Sequence, residues 1–356
     1  MSSFVFPVTR NDKPSAKPDP KELGFGNYFT DHMLVMEYSE GAGWTDGRIV
    51  PYAPLAVDPA AAVFHYAQEV FEGLKAFKTK DGDIRLFRPY ENAGRSNVSS
   101  RRLCIPAIDE ELYVEAVKAL VREDSDWVPA EPGTSLYIRP FIIATEAFLG
   151  VRPSKDYLFC VILSPVGSYY KEGLTPTRIY VEDECVRSSG GGTGFAKTGA
   201  NYAVGLLSQE KAKANGCAQV LWLDGVERRY VEEIGTSNAF FLMDNIVYTP
   251  PASDTILPGI TRKSAIELMR AWGLRVEETR FTIEDVLDAH SKGRLTEAFA
   301  TGTAAVISPV GEIVYKKESI IINNRKTGLL SLRLYETLTG IQYGDAPDTY
   351  DWMTPI

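Results

Sequence analysis

Two long β-forming runs do most to limit what this chain can fold into: SLYIRPFIIAT (135–145) and YLFCVILSPV (157–166). Both are rich in branched and aromatic residues and bounded by turn formers, so each reads as a sheet strand. Ahead of them, DEELYVEAVKALVRED (109–124) repeats its apolar residues near the 3.6 period. Asp109 stands where a helix cap belongs, so this stretch predicts a helix. Helices and strands are mixed along the chain without a regular βαβα alternation. That pattern favours an α+β fold over a doubly wound sheet.

At 356 residues the chain exceeds the usual size of one domain. GSYYKEGLTPT (167–177) concentrates turn formers and is the best candidate for a linker. The expected division is an N-terminal arm over 1–24, polar, proline-bearing and loosely held, then a domain over 25–166. The linker over 167–177 leads to a second domain over 178–356. In the latter, RIYVED reads as a strand and YAVGLLSQEKAKANG as one helix ending at Gly216. AQVLWLDGVERRYVEE reads as two strands joined at Asp224-Gly225, and NAFFLMDNIVYTPP as a hairpin turning at Asp244-Asn245. ITRKSAIELMRAWG is a helix ending at Gly273, and TGLLSLRLYETLTG forms another near the C-terminus.

A net charge of −9 argues against a nucleic-acid backbone or an anionic membrane as partner. An anionic ligand must therefore be held by a local cluster of donors. No apolar run spans a bilayer, and the N-terminus lacks the pattern of a signal peptide. The four cysteines (Cys104, Cys160, Cys185, Cys217) form no C-x-x-C pair, which fits reduced thiols and a cytoplasmic location. His32, His65 and His290 are isolated, so no metal site is expected and each reads as structural. Neither a G-x-S-x-G elbow nor a G-x-G-x-x-G dinucleotide loop occurs.

GGGTGFAKTGANYAVG (190–205) approaches a nucleotide phosphate loop but has Ala196 where that motif needs glycine before Lys197. A nucleotide-binding protein is thus a poor reading. Taken alone, Lys197 is better explained as a surface lysine in a flexible loop. A lysine among small residues and aromatics can also be a nucleophile once desolvation or a nearby cation lowers its pKa.

Other segments change that balance. RPYENAGRS supplies Arg88 and Arg95, and VEEIGTSNAFF supplies Glu233 before a turn with Thr236 and Asn238. LPGITRKS puts Ile260 and Thr261 at a helix start suited to phosphate, and TGTAAVISP adds Thr301 and Thr303. In this order, with FGNYFTDHMLVMEY, HYAQEVFEGLKAF, YIRP and FAKTGANY, they resemble the branched-chain-amino-acid aminotransferases of class IV, fold type IV. The match spans about residues 25–315.

The resemblance implies a smaller N-terminal α/β domain and a larger pseudo-barrel domain. It also implies a homodimer and pyridoxal 5′-phosphate, held between the domains. Lys197 would be the Schiff-base lysine and proton shuttle, and Tyr202 would bond the cofactor's phenolic oxygen. Glu233 would pair with the pyridine nitrogen. Arg95, the Ile260 and Thr261 amides and Thr303 would hold the phosphate, with Arg187 near it. The substrate α-carboxylate would meet Thr236, Tyr202 and the Ala304 amide. Phe25, Tyr66, Phe71, Tyr137 and Tyr169 would wall the side-chain pocket. Leu149 and Val151 would reach into the neighbouring subunit's pocket. Arg139 would take the second carboxylate of glutamate.

The implied reaction moves the amino group of L-leucine, L-isoleucine or L-valine to 2-oxoglutarate by a ping-pong mechanism. D-amino-acid aminotransferases and aminodeoxychorismate lyase share the lysine and the glutamate and remain alternatives. Some animal relatives carry a C-x-x-C where this chain has Ala305 and Ser308, so no thiol switch is expected there.

Overall fold

A computed structural model describes residues 4–45, 47–167, 174–316 and 318–356. Tyr169 and most of the expected linker lie outside the described residues. The chain divides into two compact units. The first comprises Met1–Tyr169, Ala196–Gly199 and Gly340–Ile356, and the second Tyr170–Phe195 and Ala200–Thr339.

In the first unit, β1 (His32–Ser39), β2 (Gly43–Trp44) and β3 (Arg48–Pro51) precede a short helix α1 (Ala62–Tyr66). Then come β4 (Glu69–Phe71), β5 (Leu74–Lys78), β6 (Ile84–Phe87), α2 (Pro89–Arg102) and α3 (Glu110–Glu123), before β7 (Ser135–Ala144) and β8 (Asp156–Val166). Together with Met353–Pro355 these strands form one antiparallel sheet, in which β7 pairs with β5, β4 and β8. Period-two alternation sorts β7 cleanly. Leu136, Ile138, Ile142 and Ala144 are buried in the core with Val114, Val117 and Leu120 of α3. Tyr137, Arg139 and Phe141 fall on the opposite face and are only partly buried. Asp109 caps α3, its carboxylate accepting the Leu112 amide at 3.0 Å.

The second unit contains β9 (Thr177–Glu182), α4 (Ala200–Ala203), α5 (Leu206–Ala214), β10 (Gln219–Leu223), β11 (Val231–Ile234), β12 (Ser237–Met243) and β13 (Ile246–Thr249). After them follow α6 (Ile260–Ala271), β14 (Arg275–Glu278), α7 (Ile283–Ser291), β15 (Leu295–Gly302), β16 (Val306–Tyr315) and β17 (Glu318–Ile321). Its sheet runs β11-β10-β9-β16-β15-β12, and β11 also pairs with β12. The strands from β11 to β12 thus close on themselves as a barrel, from which β13 and β14 extend beyond β12 and β17 lies along β16. Ile179, Leu221, Ala239, Phe241, Ala300 and Ile313 belong to its core.

Three local expectations are revised. The stretch after Asn201 is two helices, α4 and α5, interrupted at Gly205, whose amide bonds the Tyr202 carbonyl. Asp224-Gly225 is no two-residue turn: the Asp224 carboxylate gathers the amides of Val226, Glu227, Arg229 and Tyr230, holding a longer loop. The N-terminal arm is pinned, through a Val8–Ile49 bridge and the bonds Asn11 N–H to His32 Nε2 and Ser15 N–H to Asp31.

Candidate active site

In the first unit, the sequence of α2 gives the site away. Asn92, Arg95, Ser96 and Ser99, at helical spacing, are buried although all are polar. Buried polar groups need partners. Arg95 donates through Nε and Nη2 to the two oxygens of Glu72, each at 2.8 Å, and Asn92 donates to Glu72 at 2.7 Å. Burial pushes the Glu72 carboxyl up, but Arg95, Lys197 and Asn92 outweigh it and leave the group below its ordinary range. Ser99 Oγ accepts the Lys197 amide at 2.8 Å.

Lys197 is also held from its other side, since its carbonyl accepts the Phe71 amide at 3.0 Å. Glu69 at the start of β4 then binds the next two residues, accepting Thr198 Oγ1 at 3.1 Å and the Gly199 amide. Desolvation raises the Glu69 pKa against the pull of those bonds and of Arg139. The Lys197 ammonium lies 4.8 Å from the centre of the Phe71 ring. Its pKa is lowered to about 8, first by burial and then by Arg95, with Glu72 and Tyr137 opposing. An amine in that setting is poised to lose its proton near neutral pH.

On the same face of the sheet Arg139 donates from Nη2 to the Tyr137 hydroxyl at 3.0 Å and covers Phe71 at 4.9 Å. Gly73 makes this possible: a Cβ there would stand 2.1 Å from the Tyr137 hydroxyl. Phe25 meets Tyr137 edge-on at 5.0 Å, and Tyr66 bonds the Leu149 carbonyl through its hydroxyl. Phe25, Tyr66, Leu149 and Val151 are all largely exposed, Val151 at 83%.

The second unit gathers a different set. Glu233 and Glu232 are both buried, not a solvated pair. Glu233 lies opposite Asn238 across the β11–β12 pairing and accepts its side-chain amide at 3.0 Å. It also accepts the Leu257 amide at 3.3 Å and pairs with Arg187 Nε at 3.1 Å. Burial pushes Glu232 up to about 7.

Barrel register brings the remaining residues to one end. Asn238 pairs with Thr301, so the turn carrying Thr236 lies beside the turn carrying Thr303 and Ala304. The first turn of α6, with Ile260 and Thr261 buried, starts at Gly259, where a Cβ would strike Asn238 Oδ1 at 2.0 Å. No side chain caps this helix start. Its amides suit an anion by position and dipole. Val306, which closes the Thr303 turn, is buried and has φ +62°, a left-handed backbone rare for a branched residue. Tyr202 lies on α4.

Glu69, Glu72 and Ser99 are the residues the sequence reading passed over. Two carboxylates inside the otherwise apolar EVFEGL are the signal that could have flagged them, since buried charge demands a partner. The histidines are occupied structurally: His32 with Asp124 at 2.6 Å, and His65 and His290 with backbone carbonyls. Among the described residues no cluster of three or more metal-ligating side chains occurs, and no helix is long and apolar enough to cross a membrane.

The family described as amino-transferase class IV matches residues 69–313 of the chain. Branched-chain-amino-acid aminotransferase 2 of Bacillus subtilis (strain 168) is 54% identical over 98% of this chain and 96% of its own length. Among solved structures, the branched-chain amino acid aminotransferase of Escherichia coli has a TM-score of 0.73 at 26% identity, covering 89% of this chain and 98% of that one. A T.th. branched-chain amino acid aminotransferase with pyridoxamine 5′-phosphate has a TM-score of 0.74 at 28% identity, covering 90% of this chain and 97% of that one.

Proposed function

The chain belongs to the class IV aminotransferase family, among its branched-chain-amino-acid aminotransferases, and from that premise we propose how its residues share the work. Its reaction is branched-chain amino acid transamination (EC 2.6.1.42), carried out with pyridoxal 5′-phosphate. The residues fit that cofactor: an anion-ready helix start at Ile260 and Thr261, a buried carboxylate at Glu233, and a desolvated lysine. When bound, the cofactor supplies a carbonyl for the substrate amine and a ring that spreads the charge left at Cα.

Lys197 would hold the cofactor through Nζ and, when that nitrogen is free, would carry a proton to and from the substrate's Cα. The setting of this lysine carries the reading: both backbone polar groups are fixed, and its amine is held near 8. Glu233 takes the pyridine N–H, and a carboxylate there favours the protonated ring. Tyr202 donates to the phenolic oxygen. Arg95, the Ile260 and Thr261 amides and the Thr303 hydroxyl take the phosphate, with Arg187 steadying Glu233. Thr236, Tyr202 and the Ala304 amide receive the α-carboxylate.

Phe25, Tyr66, Phe71 and Tyr137 line the side-chain pocket, where area burial at about 25 cal/mol per Å² rewards an aliphatic chain. Arg139, with the Tyr137 and Tyr66 hydroxyls, binds the second carboxylate when glutamate or 2-oxoglutarate enters in the return half of a ping-pong cycle. The exposed Phe25, Leu149 and Val151 support a homodimer in which Leu149 and Val151 complete the pocket of a second copy. Four free cysteines support a cytoplasmic location.

Spectral titration of the purified holoenzyme with single amino acids tests this. L-leucine, L-isoleucine, L-valine and L-glutamate are expected to convert the cofactor, and D-alanine to leave it unchanged. Conversion by D-alanine but not by L-leucine would overturn the substrate assignment.

A further inference from the structure

Glu69 takes no part in the chemistry assigned to Lys197, yet it touches both residues that follow the lysine. It opens β4, where Val70 turns into the core and Glu69 and Phe71 share the other face. The strand is fixed by its pairing with β7, Glu69 opposite Ile143 and Phe71 opposite Phe141. From this one face come two holds on the same stretch of chain. The Phe71 amide donates to the Lys197 carbonyl at 3.0 Å. Two residues back along β4, the Glu69 carboxylate accepts Thr198 Oγ1 at 3.1 Å and the Gly199 amide, both on the single oxygen Oε1. Gly199 leaves the room for this, because a Cβ there would stand 2.7 Å from that oxygen.

A lysine reaches its target on a flexible four-carbon stem, so the backbone at Cα decides where the amine can return. Misplacing a reacting atom by about 1 Å can cost roughly 10²-fold in rate. On its upstream side the Lys197 amide is held by Ser99 Oγ at 2.8 Å. Downstream the chain turns sharply, with the Thr198 amide donating to the Ala196 carbonyl at 3.2 Å. Gly199 is the last residue of the segment that belongs to the first unit. Glu69 grips the chain there. Burial raises the Glu69 pKa against the bonds from Gly199 and Thr198, so a carboxylate is kept at this place at a cost.

We propose that Glu69 is a positioning residue for Lys197, its Oε1 tying down the turn at Thr198 and Gly199 so that Nζ returns to one place each time it is released. This rests on the transaminase reading above and adds a residue to the lysine's part in it.

The test compares full-length Glu69→Met, Glu69→Gln and Gly199→Ala with wild type. Each is freed of cofactor and offered pyridoxal 5′-phosphate, and the visible band of covalent attachment is timed. Binding of pyridoxamine 5′-phosphate, which cannot attach to a lysine, measures the cofactor pocket separately. Amide exchange over Ala196–Gly199 follows the turn itself. Glu69→Met removes the acceptor and Gly199→Ala pushes it aside. Both should slow attachment and speed exchange by about tenfold or more. Glu69→Gln keeps an oxygen that can accept both donors and should recover most of each loss. Pyridoxamine 5′-phosphate affinity should stay within about twofold of wild type in all three. Should Glu69→Met not fold, Gly199→Ala carries the same expectation. Unchanged attachment in Glu69→Met and Gly199→Ala overturns the proposal, as do equal losses in Glu69→Met and Glu69→Gln. If wild type binds pyridoxal 5′-phosphate without attaching it, the role of the lysine falls instead, and amide exchange still decides whether Glu69 holds the turn.

Discussion

The Lys197 carbonyl accepts the Phe71 amide at 3.0 Å, while the Lys197 ammonium lies 4.8 Å from the centre of the Phe71 ring. One residue of β4 thus fixes the backbone of the lysine and forms a wall beside its amine. Geometry of this kind is what a nucleophile needs, because a small misplacement of a reacting group is costly in rate.

Lys197→Ala should lower turnover by roughly 10³-fold or more and remove the absorption band of the covalently attached cofactor. Spectra and single-turnover assays check this together. Substantial catalysis by the variant would refute the role of the lysine.

Stability should also carry the mark of Lys197. Its pKa is near 8 when folded, against an ordinary lysine value of 10.5. Between these values the unfolded chain binds more protons than the folded one, so this group makes stability rise with pH. Below pH 8 the folded state bears the full cost of the enclosed charge. Cofactor-free Lys197→Met should therefore melt above cofactor-free wild type at pH 7, and the gap should narrow as pH rises toward 10.

Glu72→Ala would leave Arg95 buried without its bidentate acceptor. Breaking a buried pair from one side costs about 3 kcal/mol or more. Denaturant unfolding of the variant should show that loss; a change under 1 kcal/mol would mean that Arg95 finds another acceptor.

Gly73→Ala puts a methyl group where the Tyr137 hydroxyl now stands. The phenol must shift off Arg139, and kcat/KM for L-glutamate should fall roughly tenfold with little loss of fold stability. Steady-state assays alongside thermal melts separate the two effects.

Glu233→Gln keeps a hydrogen-bonding group but removes the buried negative charge. Turnover should fall roughly 10²-fold, as when other aligned electrostatic partners are removed. An unchanged kcat would place the ring nitrogen's partner elsewhere.

Elements set by local rules were legible in the sequence. Asp244 and Asn245 turn the β12–β13 hairpin with φ values of +52° and +60°, a geometry their short polar side chains tolerate. Asp109 was readable as a cap for the same reason. What escaped were arrangements that depend on residues far along the chain. Glu69 meets the Gly199 amide 130 residues later, and Glu72 meets Arg95 after 23. No window of sequence shows that two acids in EVFEGL have such partners. The Asp224 loop failed differently: Asp-Gly suggests a tight turn, but a carboxylate that collects four amides stabilises a longer one.

Val306 has a consequence for anyone who remodels this protein. A left-handed backbone costs a branched residue roughly 1–2 kcal/mol, and burying its side chain returns a similar amount. The turn that presents Thr303 and Ala304 is therefore nearly neutral in cost yet confined to one shape. Glycine there would relax the backbone and forfeit the buried methyl groups together, so a stabilising screen would find little to select. Directed evolution aimed at new substrates would meet a different response. The position offers a way to loosen one loop of the site without substituting any group that touches a ligand.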